Sequence, residues 1–66
     1  MNYFRVDYKL RAALTGSGYA KSETDDDILT VISSAIADIQ TRHGNNILNI
    51  STTVITEQEY NEATKD

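Results

Sequence analysis

Three observations predict an α+β fold for this chain: a small three-stranded antiparallel sheet in ββαβ order with one main helix on one face. YFRVDYKLRAAL at 3–14 alternates apolar and polar residues, ILTVISSAIADI at 28–39 repeats apolar residues every three or four positions, and ILNISTTVIT at 47–56 is dominated by β-branched residues. The first pattern has the period of a half-buried strand, the second that of an amphipathic helix, and the third suits a pleated surface.

In the first segment Phe4, Val6, Tyr8, Leu10, Ala12 and Leu14 fall on one side, and Tyr3, Arg5, Asp7, Lys9 and Arg11 on the other. TGSG at 15–18 reads as a turn, because glycine takes positive φ without steric cost. GYAKSE at 18–23 then returns as a short second strand, an ordered loop being the alternative. The helix is expected over about 25–43, with Ile28, Val31, Ile32, Ala35, Ile36 and Ile39 on its apolar stripe and Leu29 widening it. Thr24 or Ser22 is placed to cap its start and Gly44 its end.

The last strand puts Leu48, Ile50, Thr52 and Val54 on one face and Ile47, Asn49, Ser51, Thr53 and Ile55 on the other. Thr56 followed by Glu59 fits a capping box, so TEQEYNEATK reads as a short closing helix, with a frayed tail as the alternative. An antiparallel sheet covered on one side leaves the charged face of the first strand to solvent.

At 66 residues this is a single domain over 1–66, near the lower limit for folding without staples. The absence of cysteine removes disulfides, thiolate metal sites and cysteine nucleophiles. A homodimer is therefore expected, since pairing hides apolar surface that one thin layer leaves exposed. Charges from position 5 onward and no long apolar run predict neither a secretory signal nor a membrane span, and a cytoplasmic location.

The net charge is −4, unevenly spread. Residues 1–21 set Arg5, Lys9, Arg11 and Lys21 against Asp7, for +3, whereas 22–66 set nine acids against Arg42 and Lys65, for −7. An acidic surface more readily meets a basic protein than a nucleic-acid backbone.

ETDDDILTVI, at 23–32, concentrates this question. One or two acids complement the dipole of a helix start, but Asp25, Asp26, Asp27 and Glu23 together exceed what a cap needs. Consecutive aspartates diverge on a helix, whereas calcium loops spread their ligands over alternating positions around a glycine, so no metal or cofactor is expected. The remaining use is a phosphate-like surface of Glu23, Asp25, Asp26 and Asp27, joined by Asp38 or by Glu57, Glu59 and Glu62, set against a solvated face without a partner.

The alternative site is Tyr3, Arg5, Lys9 and Arg11, an aromatic interleaved with bases that can stack a nucleobase and hold phosphate. Its competitor is an ordinary solvent-facing strand, and the acidic total makes direct nucleic-acid binding the weaker reading. His43, the sole histidine, suits a helix C-terminus, and no catalytic motif surrounds it, so no enzyme is expected. TGSG lacks the Lys-Ser/Thr of a P-loop. Tyr8 reads as core by its alternation, and Tyr19 and Tyr60 as interface anchors or covers for a thin core.

With a sheet-like YFRVDYKLRA, an acid-led ETDDDILTVISSAIADI and an acidic EQEYNEATKD, the chain resembles the small, cysteine-free, acidic proteins that bacteriophages encode to disable host proteins, some of which imitate DNA. The resemblance implies a non-catalytic inhibitor occupying the nucleic-acid site of a basic host protein, nucleoid-associated or transcriptional. The basic first strand departs from a uniformly acidic mimic. Two other classes stay open: a small nucleic-acid-binding or regulatory domain using the basic face, and a structural self-associating subunit in which Ile47, Ile55 and Tyr60 carry the contacts.

Overall fold

The structure, a computed structural model, describes residues 1–65. Its elements are β1 (Asn2–Leu10), β2 (Thr15–Ser22), α1 (Ile28–His43), β3 (Ile47–Ile55) and α2 (Glu57–Ala63), with single 3-10 turns at 11–13, 25–27 and 44–46. The three strands form one antiparallel sheet in the order β2-β1-β3. This is the α+β, ββαβ arrangement that the alternation and the helical stripe predict. The short closing helix is present as α2, and Asp66 lies outside the described residues.

Register sorts the side chains into two faces. Phe4, Val6 and Tyr8 stand opposite Ala20, Gly18 and Gly16 on β2, and opposite Val54, Thr52 and Ile50 on β3. Against this face α1 lays Ile39, which is buried with Phe4 and Val6, while Ile28, Ile32 and Ala35 are half-buried on the same stripe. The helix packs chiefly over β2 and β1 and only lightly over β3.

Two expectations about the hairpin are corrected. β1 stops at Leu10, not Leu14, and TGSG is not the turn but the start of β2. The chain reverses over 11–14 through two alanines in the left-handed region, Ala12 at φ 66° and Ala13 at φ 60°, closed by the Leu10 N–H donating to the Leu14 carbonyl at 2.7 Å. Gly16 serves packing instead. A Cβ on Gly16 would lie 2.6 Å from Tyr8 Cε2 and closer still to Cζ and Oη, so the ring needs a bare backbone beside it. Glycine in a strand marks such a close approach.

The helix start also differs from expectation. Neither Ser22 nor Thr24 accepts a backbone N–H at the cap: Ser22 Oγ donates to the Thr24 carbonyl, Thr24 Oγ1 donates to Asp27 Oδ2 at 3.2 Å, and the Asp27 N–H donates to the Thr24 carbonyl at 3.3 Å. A 3-10 turn of three aspartates therefore leads into the α-helix. At the other end Gly44 holds φ 55° and its N–H donates to the Gln40 carbonyl, a positive-φ stop of the kind expected there. The capping box forms as its spacing requires, with the Glu59 N–H donating to Thr56 Oγ1 at 3.1 Å.

α2 changes the second face of the sheet. Instead of leaving the whole charged face to solvent, it turns back so that Tyr60 packs on Tyr3 (centroids 5.1 Å apart) and edge-on to Tyr19 (6.5 Å), with Lys21 Nζ 5.9 Å from its ring. Ile55, paired with Tyr3 on this face, is buried at 9% exposure. A four-turn helix on one face and a two-turn clip on the other give this small sheet two thin cores.

Candidate functional site

The registers place Asn2, Ser22 and Ile55 at one end of the sheet. Both helices start from that end: the chain leaves Ser22 through Glu23, Asp25, Asp26 and Asp27 into α1, and leaves Ile55 through Thr56 and Glu57 into α2. Asn2 Nδ2 donates to Asp25 Oδ1 at 3.0 Å, tying the aspartate turn to the start of β1. Five acids more than thirty positions apart at their extremes, Glu23, Asp25, Asp26, Asp27 and Glu57, are thus gathered at one pole and are exposed. The ion pairs among the described residues are Arg5–Asp7 and Arg42–Asp38, each at 3.0 Å, so none of the five is neutralised by a base.

The other expected members are dispersed. Asp38 lies eleven residues beyond Asp27, about 16 Å along the helix axis, and is paired with Arg42 one turn on. Glu59 sits over the outer face, where its charge is one of the influences on Arg5. Glu62 accepts from Gln58 Nε2 at 3.4 Å on the exposed side of α2. Among the described residues no three side chains of metal-binding type converge.

Glu57 is also close to Tyr3. Partial burial, first, and the neighbouring Glu57 carboxylate, second, raise the Tyr3 hydroxyl above the ordinary tyrosine range. Both disfavour placing another negative charge there.

The basic alternative does not assemble as an open surface. Tyr3 is covered by Tyr60, and Arg5 Nε donates to Asp7 Oδ2 while Ser17 Oγ donates to Asp7 Oδ1 at 2.7 Å. The Ser17 hydroxyl, and then Arg5, hold the Asp7 carboxyl below its usual range against a desolvation that pushes the other way. Arg11 is off the strand altogether, in the reversal, with its Nε donating to the Asn45 carbonyl at 3.3 Å. Lys9 alone keeps the exposed strand position expected of it. It borders a shallow depression lined also by Asp7, Thr15, Ser17, Asn49 and Ser51 on the part of the outer face that α2 leaves open.

His43 stacks on Tyr8, with centroids 5.0 Å apart, beside Arg42 in the last turn of α1. Lys9, Arg11, Arg42 and His43 therefore occupy the pole opposite the acids along a molecule 35 Å long, whereas Lys21, opposite Tyr3, lies toward the acidic end with its Nζ over the Tyr60 ring. The Arg5–Asp7 pairing was available from sequence, since residues two apart on a strand share a face. The joining of Glu57 to the aspartate turn was not, because it depends on strand order. No helix among the described residues is long and apolar enough to cross a membrane. No family model, no curated protein and no solved structure matches this chain.

Proposed function

We propose that the chain is a non-catalytic protein-binding module whose acidic pole occupies the nucleic-acid-binding site of a basic partner protein. The observation that carries this reading is the gathering of Glu23, Asp25, Asp26, Asp27 and Glu57 at one end of the sheet with no base paired to them among the described residues. Like charges held together raise the energy of the free protein and are relieved by a cationic surface, which speeds encounter and selects partners more than it adds raw affinity. Three successive aspartates also exceed the need of a helix start, where each favourable charge contributes about 0.3–1 kcal/mol. The nucleic-acid-binding alternative loses three of its four residues, Tyr3 to Tyr60, Arg5 to Asp7 and Arg11 to the Asn45 carbonyl in the reversal.

The test replaces Asp25, Asp26 and Asp27 with serine, which removes charge while keeping a side-chain oxygen at each position. Native and triple-serine proteins are immobilised and used to capture proteins from nuclease-treated bacterial extract. Capture by the native protein alone of a DNA- or RNA-binding protein, weakening with salt and blocking that protein's nucleic-acid binding, supports the reading. Equal capture by both proteins sinks it.

A further inference from the structure

We infer that β3 is a self-pairing edge: two copies join β3 to β3 antiparallel about a two-fold axis at Thr52, making one six-stranded sheet. This inference does not rest on the acidic pole. β3 is an outer strand of the sheet, and ILNISTTVI has neither a charge nor a proline along its nine residues. Soluble proteins ordinarily blunt an open edge with charges, prolines or a covering element, and a long neutral edge pairs with another chain. The single irregularity of β3 lies at its start, where the register shifts between Lys9 and Leu10, and from Asn49 to Ile55 the strand is regular.

The face beside this edge is bare. Because α1 favours β2 and β1, Val54 is 74% exposed and Thr52 is exposed, although both stand on the helix side opposite buried Phe4 and Val6. On the helix, at 100° per residue, Leu29, Ile36 and Gln40 lie on one flank of the sheet-facing line through Ile28, Ile32 and Ile39, and Val31, Asp38 and Arg42 lie on the other. In the right-handed sense that crossovers between parallel strands take, the first flank is the one turned toward β3. That flank is uncharged, and Leu29 on it is 79% exposed.

The occupant that fits is a second copy of this chain. A two-fold axis at Thr52 centres the regular part of the strand, sets Ile50 against Val54 of the partner copy, and sets Thr52 against itself, all on the bare side. Threonine and branched apolar pairs of this kind stabilise antiparallel neighbours. Nine residues span about 30 Å and the whole molecule is 18 Å across its shortest axis, so this side offers at most about 500 Å² per copy, and two copies with the uncharged flank of α1 approach the ~1,000 Å² of a specific interface. The acidic poles then project at opposite ends of the dimer.

Sedimentation equilibrium across a concentration series provides the test, with circular dichroism confirming that each exposed-site variant is folded. The native protein is expected to be a dimer, and Thr52→Lys alone or Thr52→Glu alone to weaken it at least tenfold, because like charges then meet on the axis. An equimolar mixture of the Lys and Glu variants should dimerise again, and Thr52→Cys should give a disulfide-linked dimer on mild oxidation whereas Asn45→Cys does not. A native monomer at millimolar concentration overturns the inference, as does a dimer indifferent to Thr52→Lys, which would use another face. Failure of the mixture to re-form dimers overturns the axis at Thr52. The triple-serine variant at 25–27 should stay dimeric, so failure of the acidic pole and failure of this edge are read separately.

Discussion

Gly16→Ala tests the idea that the first glycine of TGSG is there for packing. The new methyl would fall within 2.6 Å of Tyr8 Cε2 and nearer to the ring's outer atoms, but these belong to the far end of a side chain that is only half-buried. The ring can therefore swing away, and the cost is not that of a clash in a rigid core. What is lost is the packing of Tyr8 on His43, centroids 5.0 Å apart, worth about 0.5–1.5 kcal/mol, plus part of the ring's burial. Replacing glycine in a strand returns about 0.5 kcal/mol of conformational entropy. The net expectation is a destabilisation of ~1–2 kcal/mol, against a total of about 3–10 kcal/mol for a chain of this size.

Urea unfolding followed by circular dichroism would register this as a lower midpoint at unchanged slope, and heating as a Tm reduced by about 5–15 °C. Two controls sharpen the result. Gly18→Ala places its methyl 3.7 Å from Ile39 Cδ1, an ordinary contact, and should be neutral or slightly stabilising. In a Tyr8→Ala background Gly16→Ala should change sign, gaining about 0.5 kcal/mol, since the obstructing ring is gone. An equal loss in both backgrounds would refute the argument.

Other consequences follow from the same structure. Tyr60→Ala should release α2 from Tyr3 and Tyr19, costing about 1–3 kcal/mol and abolishing hydrogen-exchange protection in 57–63 while α1 stays protected. Ala13→Gly relieves a left-handed alanine that costs about 1 kcal/mol, less the extra entropy of glycine when unfolded, so thermal melts should show a gain of ~0.5 kcal/mol. The depressed Asp7 carboxyl binds its proton less readily in the folded than in the unfolded state. Its contribution is present above the ordinary carboxylate range and lost as pH falls through the lower folded value, so Asp7→Asn should flatten the stability profile below about pH 4. With both Arg5 and Asp7 over a third exposed, solvent screening keeps that change small, and an unaltered acid limb would remove the pair from the account.

The amino-acid sequence by itself determined the elements whose signal is local. Alternation through Phe4, Val6 and Tyr8 places β1, the stripe from Ile28 to Ile39 places α1, and Thr56 with Glu59 starts α2, because each period or cap is set by neighbours a few residues apart. The hairpin is not legible locally because glycine marks either a turn or a close approach, and only Tyr8, eight residues upstream, decides which. The acids were legible as residues, but their placement at one end of the sheet was not: Glu57 shares that end with Asp25–Asp27 because β1 lies between β2 and β3 and brings Ser22 and Ile55 to the same end. Tertiary structure alone also seated Tyr60 on Tyr3 and left the outer edge of β3 open. Helix placement over a three-stranded sheet is settled by long-range packing, and one helix is too narrow to cover every strand.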